Sequence, residues 1–200
     1  MKKLFPLLVV LMLLLFSVFA AAEGMLTLKT TEEKVGDMVR DHSFYTSLGN
    51  YFIKNGKADK ALPVYEMALK LSPDNEKVLN NIGVYYYQQG MDESAIEYFK
   101  RAVQSDEDYE VARSNLAVMH HYNKDYDKAV KQLRILIEMD PDNPSYNYDM
   151  GINIASNFRY NEEGDLDEAI KYFEKADELS PGYSNSEHNI KVLREIQELL

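Results

Sequence analysis

Cysteine is absent from all 200 residues. That excludes disulfides, thiolate metal ligands and a cysteine nucleophile, and it leaves no acceptor for a lipid anchor beside an export signal. A usable glycosylation sequon is lacking as well, since the one match, Asn143-Pro144-Ser145, carries proline in the middle. Serine nucleophile elbows, phosphate-cradling glycine loops and zinc-protease helices are missing too. Positive charge is in short supply: 22 Lys and Arg stand against 33 Asp and Glu, for a formal charge of −11. A field of that sign repels phosphate, so nucleic acid and anionic lipid are poor partners. Much of the charge serves solubility.

What is present begins with a segment unlike the rest. Lys2 and Lys3 precede an apolar run from Leu4 to Phe19, and Ala20-Ala21-Ala22 follow. Positive residues, an apolar stretch and small residues in that order predict a secretory signal over 1–22, removed on export to the periplasm or the cell exterior. The alternative is an uncleaved anchor, because Leu4 to Ala22 is 19 residues, borderline for a bilayer span. With cleavage two lysines and no acids are lost, so −11 becomes −13. Residues 23–41 form a lead-in segment, expected to be partly helical.

Beyond residue 41 the sequence repeats every 34 residues. Leu48-Gly49 returns as Ile82-Gly83, Leu116-Ala117 and Met150-Gly151. Ala61 returns as Ala95 and Ala129, Tyr65 as Phe99 and Leu133, and Ala68 as Ala102. Within a copy the apolar positions follow helical spacing, glycines such as Gly56 and Gly90 interrupt it, and Ser-Pro-Asp-Asn or Asp-Pro-Asp-Asn closes it. Each unit therefore reads as helix, tight turn, helix and short loop. The small residues at 49, 83, 117 and 151 are expected where two helices cross closely, opposite Ala61, Ala95, Ala129 and Ala169.

The stretches YTSLGNYFIKNGKADKALPVYEMALKLSP (45–73) and LNNIGVYYYQQGMDESAIEYFKRA (79–102) resemble tetratricopeptide repeats. The resemblance implies an all-α, right-handed solenoid of about four helix-turn-helix repeats at 42–75, 76–109, 110–143 and 144–183, with a capping helix over 184–200. Ile190, Leu193, Ile196 and Leu200 give that last helix its apolar stripe. Three departures stand out. Pro63 lies inside a helix, where it removes a backbone donor and costs about 3 kcal/mol unless the bend is used. Six residues are added in the fourth copy around NFRYNEEGD (157–165), making either a longer helix or a longer loop, and either a partner contact or a tolerated insertion. His120 takes an aromatic slot in the third copy, where Leu133 and Leu136 also alter the packing.

Chemistry is hard to find. His120 and His121 are adjacent, and successive helical residues point about 100° apart, so a packed His120 and an exposed His121 are favoured over a metal pair. The acidic run 161–168 lacks the alternating oxygen ligands of a calcium loop. The sequence therefore implies no metal, no cofactor and no enzyme.

In the resembling family the first helix of each copy lines a concave groove. The slots carried over hold Asn50 and Lys54 in the first copy and Lys77, Asn80, Asn81, Val84 and Tyr87 in the second. Asn115, Val118, His121 and Tyr122 follow in the third, and Tyr148 in the fourth. Val111, Ser114, Ile152 and Asp149 share that face, Asp149 being its single acid. Asparagines at these slots imply hydrogen bonds to the backbone of an extended peptide, since an amide both donates and accepts. The tyrosines supply apolar area with a polar tip. Relatives that clamp a chaperone's terminal carboxylate carry basic residues where Thr46, Val111 and Asn115 stand here, so that activity is not implied. The expectation is a scaffold that binds a protein segment in its groove. The alternative is an envelope assembly subunit that self-associates or docks through its edge, insertion or capping helix.

Overall fold

The computed structural model describes residues 41–200. The expected signal over 1–22 and nearly all of the lead-in lie outside the described residues. Among the described residues there are nine α-helices and no strand, an all-α helical repeat solenoid. The chain divides into two compact units at Pro73 and Asp74.

In the first unit α1 (His42–Lys54) packs on α2 (Ala58–Leu71). Asp41 caps α1 by accepting from the Ser43 amide at 2.9 Å. Helix α2 runs through Pro63, which is exposed.

The second unit contains α3 (Glu76–Gln88), α4 (Asp92–Ser105), α5 (Glu110–Tyr122), α6 (Tyr126–Met139), α7 (Pro144–Asn161), α8 (Leu166–Leu179) and α9 (Ser186–Gln197). Each helix packs on the next in sequence, and α3 also touches α5. The Pro-Asp-Asn closures are explained by capping. Asn75 accepts from the Val78 amide at 3.0 Å, and Asn143 accepts from Ser145 at 3.0 Å, with Pro144 in the first turn where its missing N–H costs nothing. The second copy closes without that motif: α4 is followed by Asp106, and Tyr109, the residue before α5, supplies no side-chain cap. Between paired helices Gly56 and Gly90 have φ of +66° and +69°, and Lys124 takes the same left-handed position at +61°.

The core shows why the small residues recur. A Cβ added to Gly83 would lie 2.6 Å from Cε1 of Phe99, and one on Gly151 would lie 2.9 Å from Cε1 of Phe173. On Gly49 it would overlap the Tyr65 ring. The nearest partners of the glycines are thus these rings, one helical turn beyond the alanines named from the sequence. Ala61, Ala95, Ala129 and Ala169 are themselves fully buried. In the third copy both members of the pair change: Ala117 stands for glycine and Leu133 for the ring, and both are buried.

The added residues in the fourth copy lengthen the helix. α7 has 18 residues against 13 for α3 and α5, and the chain turns at Glu162 with φ +57°. The extension lies along its neighbour: Tyr160 stacks on Tyr126 with centroids 5.8 Å apart, and Asn157 donates to Asp127 at 2.8 Å. Lys124 Nζ sits 5.4 Å from the Tyr160 ring centroid. On α9, Leu193 is buried, and Ile190 and Ile196 pack against the core. Leu200 departs from the expected stripe, being 85% exposed and past the helix end.

Candidate peptide-binding face

Within the second unit the first helices of successive copies, α3, α5 and α7, are tied together by polar and aromatic pairs. Asn115 donates to Asn80 at 2.8 Å, and Tyr87 stacks on Tyr122 with centroids 6.3 Å apart and planes at 21°. Tyr146 donates to Glu110 at 2.9 Å, and His121 Nδ1 lies 3.0 Å from Asn153 Oδ1. Burial, together with the Glu110 carboxylate, pushes the Tyr146 phenol up to about 12.

These pairs sort the residues expected at the groove. Tyr87 and Tyr122 are 42% and 62% exposed and stack as one apolar platform, with Val118 exposed on the same helix as Tyr122. Lys77 is exposed in the first turn of α3, Asn81 is half-buried, and Val84 packs partly into the core beside Phe99 and Met119. Tyr148 is half-buried, edge-on to Phe173 at 5.4 Å, and its hydroxyl accepts from Asn189 at 3.3 Å. In the first unit Lys54 is exposed in the last turn of α1, and Asn50 accepts from the buried Tyr65 hydroxyl at 2.6 Å.

Two expectations need correction. Asn80 does not present itself to solvent: it is 5% exposed, and its carbonyl accepts from Asn115. A buried amide oxygen without a donor costs about 1–3 kcal/mol, so this contact fixes both side chains. Asn115 therefore spends one donor on Asn80. His121 is half-buried, not exposed, and its ring meets Tyr122 and Tyr126 edge-on at 6.0 and 5.6 Å. His120 is packed as expected, and its burial holds its pKa below the usual histidine value.

A cavity of about 300 Å³ opens between α5 and α7, lined by Val118, His121, Tyr122, Tyr148, Asp149 and Ile152, with Ala117, Leu133 and Asn153 behind them. Sequence reasoning placed the first six on one face but missed Asn153. Asn153 is buried and donates through Nδ2 to the Asp149 backbone carbonyl at 2.8 Å. That bond fixes which end of the amide faces His121: the oxygen, which can only accept. The His121 Nδ1 therefore carries a proton, and a neutral ring leaves Nε2 free to accept. Asp149 is half-buried, and desolvation pushes its carboxyl up to about 6, with His121 opposing. A second cavity, of about 490 Å³, shares His121 and Ile152 with the first and extends past Phe158 and Tyr160 to Leu193 and Ile196.

Among the described residues no group of three or more His, Asp or Glu is placed to hold a metal, and no helix is long and apolar enough to cross a membrane. Profiles of the tetratricopeptide repeat match residues 46–110, 93–148 and 160–183, together more than half of the chain. No curated protein sequence matches it. Among solved structures, MamA is 24% identical with a TM-score of 0.70, over 82% of this chain and 85% of that one. YrrB, a TPR protein with an unusual peptide-binding site, is 20% identical with a TM-score of 0.70, covering 88% and 84%. MamA from Desulfovibrio magneticus RS-1 is 15% identical with a TM-score of 0.69, covering 78% and 85%. At these identities the likeness concerns the fold.

Proposed function

Because the chain belongs to the tetratricopeptide repeat family, we propose that it is a non-catalytic protein-interaction scaffold that binds an extended segment of a partner along α3, α5 and α7. The supporting observation is the Tyr87–Tyr122 platform, two stacked rings left exposed beside a cavity. Rings that keep apolar area in water without covering a core are typical anchors for a partner. The half-buried amides of Asn81 and Asn115 stand within the same face, where they can meet peptide backbone.

Asn115 is a poor probe of this surface, because removing it strands the Asn80 oxygen and confuses folding with binding. Tyr87→Ala with Tyr122→Ala is the sharper test, since both rings are exposed. Proteins crosslinked to the wild-type chain in its native envelope should be lost by at least about tenfold in the double variant, an effect of about 1.4 kcal/mol or more. The melting temperature should move by no more than about 3 °C. Retention of the same partners by the double variant sinks the groove reading.

We place this scaffold outside the cytoplasm on the strength of residues 1–22. N-terminal sequencing of the chain recovered from cells should begin within a few residues of Glu23. Recovery of the intact start at Met1 in the membrane fraction would favour the anchored form. The assembly alternative has less support, because the α7 extension lies along Tyr126 and Asp127 of its own chain.

A further inference from the structure

Asp149 is the one acid lining a cavity otherwise built from an amide, apolar side chains and rings. Among the described residues no donor lies within hydrogen-bond distance of its carboxylate, and no Lys or Arg forms an ion pair with it. The ion pairs of this unit lie elsewhere, at Asp125, Asp142, Glu168, Glu174, Glu178 and Glu195. A carboxylate withdrawn from water into a cavity with no counter-charge is a costly arrangement that a cationic occupant would relieve. The other titratable groups lining the cavity are His121 and Tyr122 from α5 and Tyr148 from α7, and none of them is a fixed positive charge.

We propose that this cavity receives the side chain of a lysine or arginine from the bound partner segment, with Asp149 as counter-ion. Tyr122 and Tyr148 line the cavity, and aromatic rings suit both a cation and its methylene stem. Ile152, Leu133 and Ala117 provide apolar wall for the stem. A volume of about 300 Å³ suits one long side chain and not a folded element. The second cavity borders the first at His121 and Ile152, so a partner chain has further concave surface beside the charged residue. That adjacent surface favours a side chain within a segment over a terminal ammonium group. The acidic balance of the chain, −11 in full and −13 without residues 1–22, draws such a segment in from a distance.

This inference rests on the groove reading above, and its test is kept separate from that of the tyrosines. Titration of the ¹⁵N-labelled full chain at pH 7.5 with Nα-acetyl-lysine methylamide and with Nα-acetyl-arginine methylamide reads the site directly. The uncharged Nα-acetyl-norleucine methylamide serves as isostere, and glycine methylamide presents only the terminal ammonium. The lysine or arginine probe should shift the amide signals of Asp149, His121 and Asn153 at concentrations at least about tenfold below norleucine and glycine methylamide. Asp149→Asn should erase that preference, and lowering the pH to 5 should weaken it in the wild type. Equal response to norleucine, a preference for glycine methylamide, or a preference that survives Asp149→Asn each overturns the proposal. If it fails while the Tyr87 and Tyr122 substitutions still release the partner, the charge assignment is wrong and the groove stands. If the tyrosine variant also keeps its partner, the groove reading has failed independently.

Discussion

Gly83→Ala should destabilise the protein by about 2 kcal/mol, although alanine is intrinsically preferred over glycine in a helix by about 1 kcal/mol. The reason is the Phe99 ring, whose Cε1 would sit 2.6 Å from the new methyl and whose Cδ1 would sit 2.7 Å away. Phe99 is buried and held between Ala95, Leu116 and Met119, so the ring cannot swing aside without moving the next hairpin. For a chain of this size the melting temperature should fall by about 4–8 °C in calorimetry. A variant that melts at or above wild type would show that the close approach is not what selects glycine here.

The third copy supplies the matching control. There Ala117 faces Leu133 where the other copies set glycine against a ring. Phe99→Leu alone leaves a void and should cost about 1–2 kcal/mol. In Gly83→Ala with Phe99→Leu the new methyl fills part of that void, so the double variant should be more stable than the sum of the two losses by at least about 1 kcal/mol. A strictly additive cycle would sever the link between the two positions.

The same pair of positions shows what could be seen in the sequence. Period, helix pairing and the identity of the small residues follow from spacing alone, because a solenoid repeats its contacts as faithfully as its residues. Tyr65, Phe99 and Leu133 each stand 16 residues after Gly49, Gly83 and Ala117, and Phe173 stands 22 after Gly151 because of the six added residues, so a pairwise reading that allows for the insertion matches ring to glycine. Spacing gives the direction of a side chain only to within a fraction of a turn. Asn80 and Asn81 are neighbours on α3, yet Asn80 turns inward to hold Asn115 while Asn81 stays half-buried, a difference that spacing does not carry. The insertion posed a different difficulty. Six extra residues between Gly151 and Ala169 are compatible with a loop, and the helix is favoured by contacts with another repeat, Tyr160 on Tyr126 and Asn157 with Asp127. The slot of Asn153 reads in sequence as a helix interior, and its importance lies in what it contacts: the ring of His121 and the backbone carbonyl of Asp149.

Asp149→Asn should make the protein more stable at neutral and alkaline pH, the opposite of what removing a binding residue usually brings to mind. In the folded chain burial raises the Asp149 carboxyl from 3.8 to about 6. A carboxyl raised on folding favours the folded state below its unfolded value of 3.8, and that contribution is lost as the pH rises through about 6. Above that pH the wild type carries a withdrawn charge that the isosteric amide does not. The gain should be about 2 kcal/mol at pH 8, allowing for the open mouth of the cavity, and should fade below pH 4. Melting curves at pH 4, 6 and 8 read this directly: the variant should melt about 4–8 °C higher at pH 8 and nearly with the wild type at pH 4. Equal melting at pH 8 would mean that the charge is already compensated, which removes the reason for a cationic occupant. A gain in stability coupled to a loss of the lysine preference would instead mark a position where the fold is held below its best stability because the charge is needed for binding.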